Sequence, residues 1–173
     1  MEYKRNFNSQ RNENFNSFQK RDFHKNEEII FENEFKEFKL VDEKGNITDS
    51  LFDIIAENIS KSFVEKDNGK GVSSRQIRKI FDEVKSYDSS ITNSSKTWDE
   101  VKPLVQMIRS KVAYAVARKK TPKDEITNHA YDNFMSFITC GLKQVDSKEK
   151  YHIFVNLFEA VYGFYYQRKP TND

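Results

Sequence analysis

Between residues 49 and 168, apolar side chains return every three or four positions, and little in that stretch can stop a helix. The whole chain of 173 residues holds three prolines and five glycines. A period of about 3.6 residues with few breakers points to amphipathic helices, whereas strands would need alternation and frequent turn residues. The expected fold class is all-α, a compact bundle of about five helices behind a disordered or partly helical amino-terminal arm. One domain of this length can bury a useful core.

Start and stop signals place the helices. The first is expected over about residues 49–66, with Phe52, Ile55, Ile59 and Phe63 on one stripe. Gly69 and Gly71 would end it, because glycine enters the left-handed cap conformation without a Cβ clash. Ser73 and Gln76 have capping-box spacing, with Val72 and Ile77 set for a hydrophobic staple. Ile77, Ile80, Phe81 and Val84 form the inner face of this second helix, and Tyr87 lies near its end. Residues 88–96 read as a Ser/Asn-rich loop. Thr97 and Glu100 offer another capping box, but Pro103 removes a backbone donor. A short turn over 97–102 and a third helix over 103–120 are therefore expected. Residues 112–117 are apolar nearly all the way round, which suggests a central helix. Thr121-Pro122 would open the fourth helix, whose inner face is Ile126, Ala130, Phe134, Phe137, Ile138 and Leu142. Asp146 with Glu149 would cap the fifth. Its Tyr151, Phe154, Phe158, Val161, Tyr162 and Tyr165 recur at helical spacing and read as core, not as a binding platform.

Two segments follow from composition: an Asn/Phe-rich, largely disordered extension over 1–47, and a helical-bundle domain over 48–169. Residues 1–26 sustain no period. Their isolated Phe7, Phe15, Phe18 and Phe23 could stack on bases or grip a partner, or simply decorate a floppy tail. Phe31, Phe35 and Phe38 suit a short amphipathic helix, and residues 42–46 read as a turn.

Most function classes find no support. Cys140 is the only cysteine, so neither an intrachain disulfide nor a thiolate zinc site can form. The first residues have no apolar signal core, and the longest apolar run is six residues, far short of a membrane span. A cytoplasmic protein without membrane contact is expected. Glu149 and His152 have di-iron spacing, but no second copy exists. Glu125, His129 and Asp132 share one helical face, as a weak metal patch or, more simply, as solvated charge. Lys70-Gly71-Val72-Ser73 echoes a phosphate loop without its full glycine pattern. No nucleophile constellation is present. The reading is no enzyme, no metal and no cofactor.

The basic residues say more. Residues 1–67 carry 11 basic and 15 acidic side chains, and residues 68–173 carry 18 and 12. That excess permits a polyanionic partner for the second part. On the second helix, Arg75, Arg78 and Lys79 project away from the apolar face. On the third, Lys111, Tyr114 and Arg118 share a stripe, followed by Lys119 and Lys120. Fixed cations on rigid helices suit backbone phosphates. The competing reading is that cations favour a helix C-terminus. It accounts for Lys119 and Lys120, but poorly for Arg75, Arg78 and Lys79 near an N-terminus. The two helices are expected to pack as neighbours and merge their basic stripes.

Three segments carry a resemblance. Val72-Ser73-Ser74-Arg75-Gln76-Ile77-Arg78-Lys79-Ile80-Phe81-Asp82-Glu83-Val84 resembles the first signature of the small subunit of type III-A CRISPR effector complexes, the Csm small-subunit family. Lys111-Val112-Ala113-Tyr114-Ala115-Val116-Ala117-Arg118-Lys119-Lys120 resembles its second. The stretch Phe154-Val155-Asn156-Leu157-Phe158-Glu159-Ala160-Val161-Tyr162-Gly163-Phe164-Tyr165 is similar to its final helix. The order and spacing agree over roughly residues 50–168, and the resemblance does not extend to the Asn/Phe-rich residues 1–47.

The resemblance implies a non-catalytic RNA-binding bundle, present in several copies along the guide RNA–target RNA duplex. It would contact the repeated backbone subunit, the large subunit and copies of itself, and stabilise target RNA binding in antiviral defence. RNA-facing candidates carried over are Arg75, Arg78, Lys79, Lys111, Arg118, Lys119 and Lys120, with Tyr114 packing or stacking beside them. Such contacts should read backbone and shape, since base pairing lies between the two RNAs. The alternative is a helical adaptor that binds only protein.

Overall fold

A computed structural model of the chain describes residues 34–65 and 69–169. The arm over 1–26 and its four phenylalanines lie outside the described residues, as does Phe31. The described residues all belong to one compact unit.

The chain enters as a strap along the bundle. Residues 34–39 form no helix. Phe38 and Leu40 point inward at a spacing of two, and Gln144 grips the backbone there: Leu40 N–H donates to Gln144 Oε1 (2.9 Å), and Gln144 Nε2 donates to the Phe38 carbonyl (2.9 Å). The expected turn follows. Asp42 accepts from the amides of Lys44 (2.8 Å) and Asn46 (2.9 Å), while Gly45 takes φ +84°.

A π-type turn, Leu51–Ile55, leads into α1, Ala56–Lys61. The wide turn shifts the helical register, so Leu51, Ala56 and Ile59 are buried and Phe52 of the expected stripe is 37% exposed. The first helix also stops five residues early. Phe63 and Val64 instead lead into a two-residue hairpin, β1 (Val64–Glu65) with β2 (Lys70–Gly71), pairing Val64 with Gly71. Strands this short carry no periodicity to read. Gly71 is required there, since a Cβ would lie 2.3 Å from the Phe63 carbonyl oxygen.

The next helix, α2 (Ser74–Thr92), buries Ile77, Ile80, Phe81 and Val84 as expected, but runs on to Thr92, so that only residues 93–96 of the expected loop stay outside a helix. Half-buried Ile91 packs against the core, and Ser90 Oγ donates to the Ser86 carbonyl (2.9 Å). Helix α3, Trp98–Lys119, is one piece with Pro103 inside it. The Thr97–Glu100 capping box forms, and Pro103 sits exposed in the second turn, where only the Asp99 carbonyl loses its helical donor. Helix α4, Glu125–Lys143, starts after Thr121-Pro122 because Asp124 is the cap that accepts from Thr127 N–H (3.2 Å). Helix α5, Lys148–Tyr166, is capped one residue later than expected, by Ser147.

The central helix is α5, which packs against α1, α2 and α4; α3 lies at the periphery on α2 and α4. Helix α3 buries the line Val101, Val105, Ile108, Val112 and Val116, while Ala113, Tyr114 and Ala117 face outward. The apolar run of residues 112–117 is therefore only partly core. Small alanines do not force burial as large side chains do. The core is built on aromatic rings. Phe137 lies 5.2 Å from Phe158, 5.7 Å from Phe154, 5.8 Å from Phe63 and 5.9 Å from Phe38 between ring centres.

Candidate nucleic-acid interface

Buried tyrosines fix the position of α2. Tyr165 donates to the Val72 carbonyl (2.6 Å), and Tyr131 accepts from Ser73 N–H (3.3 Å), both at the start of the helix. Further along, Tyr151 donates to the Val84 carbonyl (2.8 Å), and burial pushes its phenol pKa well up. Ser73 is the N-cap, but its side chain makes no capping bond; Tyr131 serves the Ser73 N–H that Gln76 was expected to serve. Gln76 is thereby left beside the cations.

With α2 anchored on α4 and α5, its other face meets α3. Between the two helices runs a groove of about 760 Å³. Arg75 and Lys79 line it from α2; Lys111, Tyr114, Arg118 and Lys119 line it from α3. Ile80 and Ala115 supply apolar wall, with Gln76 and Glu83 between the cations. Tyr114 is 66% exposed, and the Arg118 guanidinium sits 5.6 Å from its ring centre. Arg75, Arg118 and Lys119 form no ion pair among the described residues. Six of the eight residues singled out from sequence thus share one groove. The other two lie outside its lining. Arg78 pairs with Asp82 at 3.7 Å on the exposed side of α2, and Lys120 pairs with Asp132 of α4.

Glu83 is the groove residue the sequence reading missed. Its signal was available, since it stands four residues after Lys79 on the same helical face. Its Oε1 accepts from the Tyr87 hydroxyl (2.7 Å) and from Lys111 Nζ. Partial burial would raise the Glu83 carboxyl, but the hydrogen bonds from Lys111 and Tyr87 outweigh it and hold the pKa below the usual carboxylate value. The same bond raises Lys111. Burial, then the contact with Glu83, raises Tyr87. Lys111 is therefore less available to a ligand than its exposure suggests.

The other candidates do not converge. Asp132 is engaged by Lys120, so the Glu125–His129–Asp132 face is not assembled. His152 Nδ1 lies 3.1 Å from Asp88. Lys70 pairs with Asp124 at 3.3 Å. Among the described residues no group of three or more His, Cys, Asp or Glu side chains could hold a metal ion, and no helix is long and apolar enough to cross a membrane.

Fold and groove together define a helical-bundle protein with a cationic cleft between two adjacent helices. Residues 48–169 match the family described as Csm2 Type III-A. The chain belongs to that family, the small subunit of type III-A CRISPR complexes. No curated protein and no solved structure matches it.

Proposed function

We propose that the chain is a non-catalytic RNA-binding subunit of a cytoplasmic type III-A ribonucleoprotein. In this reading several copies stack along the guide RNA–target RNA duplex, beside the repeated backbone subunit and the large subunit. They stabilise target RNA binding in antiviral defence. The observation that carries the reading is the groove, which Arg75, Lys79, Arg118 and Lys119 line from the two motif helices. A chain of phosphates supplies acceptors, and these side chains supply fixed charge and donors. None of them selects a base, which suits a guide whose sequence changes.

The test removes the four cations together, as Arg75→Ala, Lys79→Ala, Arg118→Ala and Lys119→Ala. Lys143→Ala with Lys148→Ala serves as a control outside the groove. Both proteins are titrated with RNA alone and in the reconstituted complex across a salt series. The groove variant is expected to bind unrelated RNAs more weakly by a similar factor. Its salt slope should fall by about 0.7 for each single-strand phosphate that is no longer neutralised. Equal affinity and slope for variant and control would replace this reading with a protein-only adaptor. The exposed Ile47, Phe52 and Ile54 are the observation that favours such an adaptor.

A further inference from the structure

We propose that Glu83 reads the ribose 2′-hydroxyl of the bound strand and so makes the α2–α3 groove selective for RNA over DNA. This rests on the RNA-binding reading of the groove and adds a specificity determinant to it.

The groove lining holds a chemical mismatch. Arg75, Lys79, Arg118 and Lys119 offer hydrogen-bond donors only, which complement phosphate oxygens. An ionised carboxylate in the same wall offers acceptors only and repels phosphate. Lys111 offsets the charge, but at the expense of its own availability. Nor can the carboxylate swing away easily, since its side chain is 22% exposed and two donors hold Oε1. A carboxylate can accept about four hydrogen bonds. Both bonds from the protein fall on Oε1, and Oε2 has no partner among the described residues. The groove lining therefore holds one anionic side chain among cations, with an oxygen that accepts no hydrogen bond from the described residues. In a nucleic-acid backbone the 2′-hydroxyl of ribose is the group that can donate to it, and deoxyribose has none. A strand whose phosphates lie on Arg75, Lys79, Arg118 and Lys119 and that continues to the Lys111 end of the groove would bring a sugar against Glu83.

The competing role for Glu83 is a mere tie between α2 and α3. The two roles separate on a ratio that a structural tie would not move. The full chain is titrated by fluorescence anisotropy with an oligouridylate, the oligodeoxyuridylate of equal length and the 2′-fluoro oligouridylate. The 2′-fluoro strand keeps the RNA sugar pucker but has no 2′ donor. For the wild-type chain the 2′-hydroxyl strand is expected to bind about three- to ten-fold tighter than either of the others, the span of one hydrogen bond to a partly solvated group. Glu83→Leu, checked for folding by circular dichroism, is expected to bring the three affinities together. Deoxy-strand binding should rise in that variant as Lys111 is released. Wild-type binding that ignores the 2′ group, or a preference that survives Glu83→Leu, overturns the Glu83 assignment and leaves the groove's RNA binding intact. A wild-type chain that binds none of the three strands overturns the underlying reading as well. If Glu83→Leu fails to fold, the 2′-fluoro comparison on the wild-type chain decides alone.

Discussion

Helices α3 and α5 are similar in length but use their surfaces in opposite ways. Helix α5 buries Tyr151, Phe154, Val155, Leu157, Phe158, Val161 and Tyr165; Tyr151 also holds the α2 backbone by a hydrogen bond, and Tyr165 holds that of Val72 just before it. Helix α3 buries five branched aliphatic side chains on one line, half-buries Trp98, Leu104 and Ala115, and leaves its other side chains exposed. Stability is thus concentrated where aromatic rings interlock, and the helix on the rim keeps an exposed face. The other wall of the groove, α2, is held by hydrogen bonds to tyrosines of α4 and α5.

The largest expected effect lies on the α5 side. Phe158 has no exposure and contacts the rings of Phe81, Phe134, Phe137 and Phe154. Phe158→Ala should destabilise the fold by about 3–5 kcal/mol in denaturant titration. Val112→Ala on α3 should lose only about 1–2 kcal/mol, at roughly 0.8 kcal/mol per buried methylene. Equal losses would erase the contrast between the two helices.

Glycines sharpen the same contrast. A Cβ at Gly141 would lie 2.2 Å from Phe154 Cε2, and Phe154 is fully buried. Gly141→Ala should therefore cost about 1–3 kcal/mol through overpacking at the α4–α5 contact. Gly163, also on α5, faces open space. There Gly163→Ala should stabilise by about 0.5–1 kcal/mol, measured as a higher Tm, by lowering the backbone entropy lost on folding. A loss at Gly163 would show that the outer face of α5 is more crowded than the packing implies.

The smallest effect on stability belongs to the groove. Tyr114→Ala should change stability by less than about 0.5 kcal/mol, because the ring is mostly exposed. Its effect on RNA binding should be larger, about 1 kcal/mol if a base stacks on it. A large stability loss with unchanged binding would make Tyr114 a packing residue.

Much of this architecture is legible in the sequence. The inner faces of α2, α4 and α5 follow from large apolar side chains at helical spacing. The Thr97–Glu100 cap is readable because it is local. The features that escape a sequence reading are set by distant partners or small residues. Ser73 loses its expected box because Tyr131, far along the chain, reaches its N–H. Alanines 113 and 117 look apolar in sequence yet are too small to demand burial. The π-type turn at Leu51–Ile55 shifts a stripe that a uniform period cannot anticipate. In the groove, the cations are visible as charge, and Glu83 is visible only as an acid four residues after Lys79, which by itself reads as a solvated pair.

The most direct test of the groove is backbone amide chemical-shift mapping on the full chain during titration with an oligouridylate. A nucleic-acid groove between α2 and α3 predicts shifts concentrated in residues 75–83 and 111–119, weakening with added salt and absent from the outer face of α5. Shifts confined to residues 47–54, or spread without preference over the bundle, would contradict it.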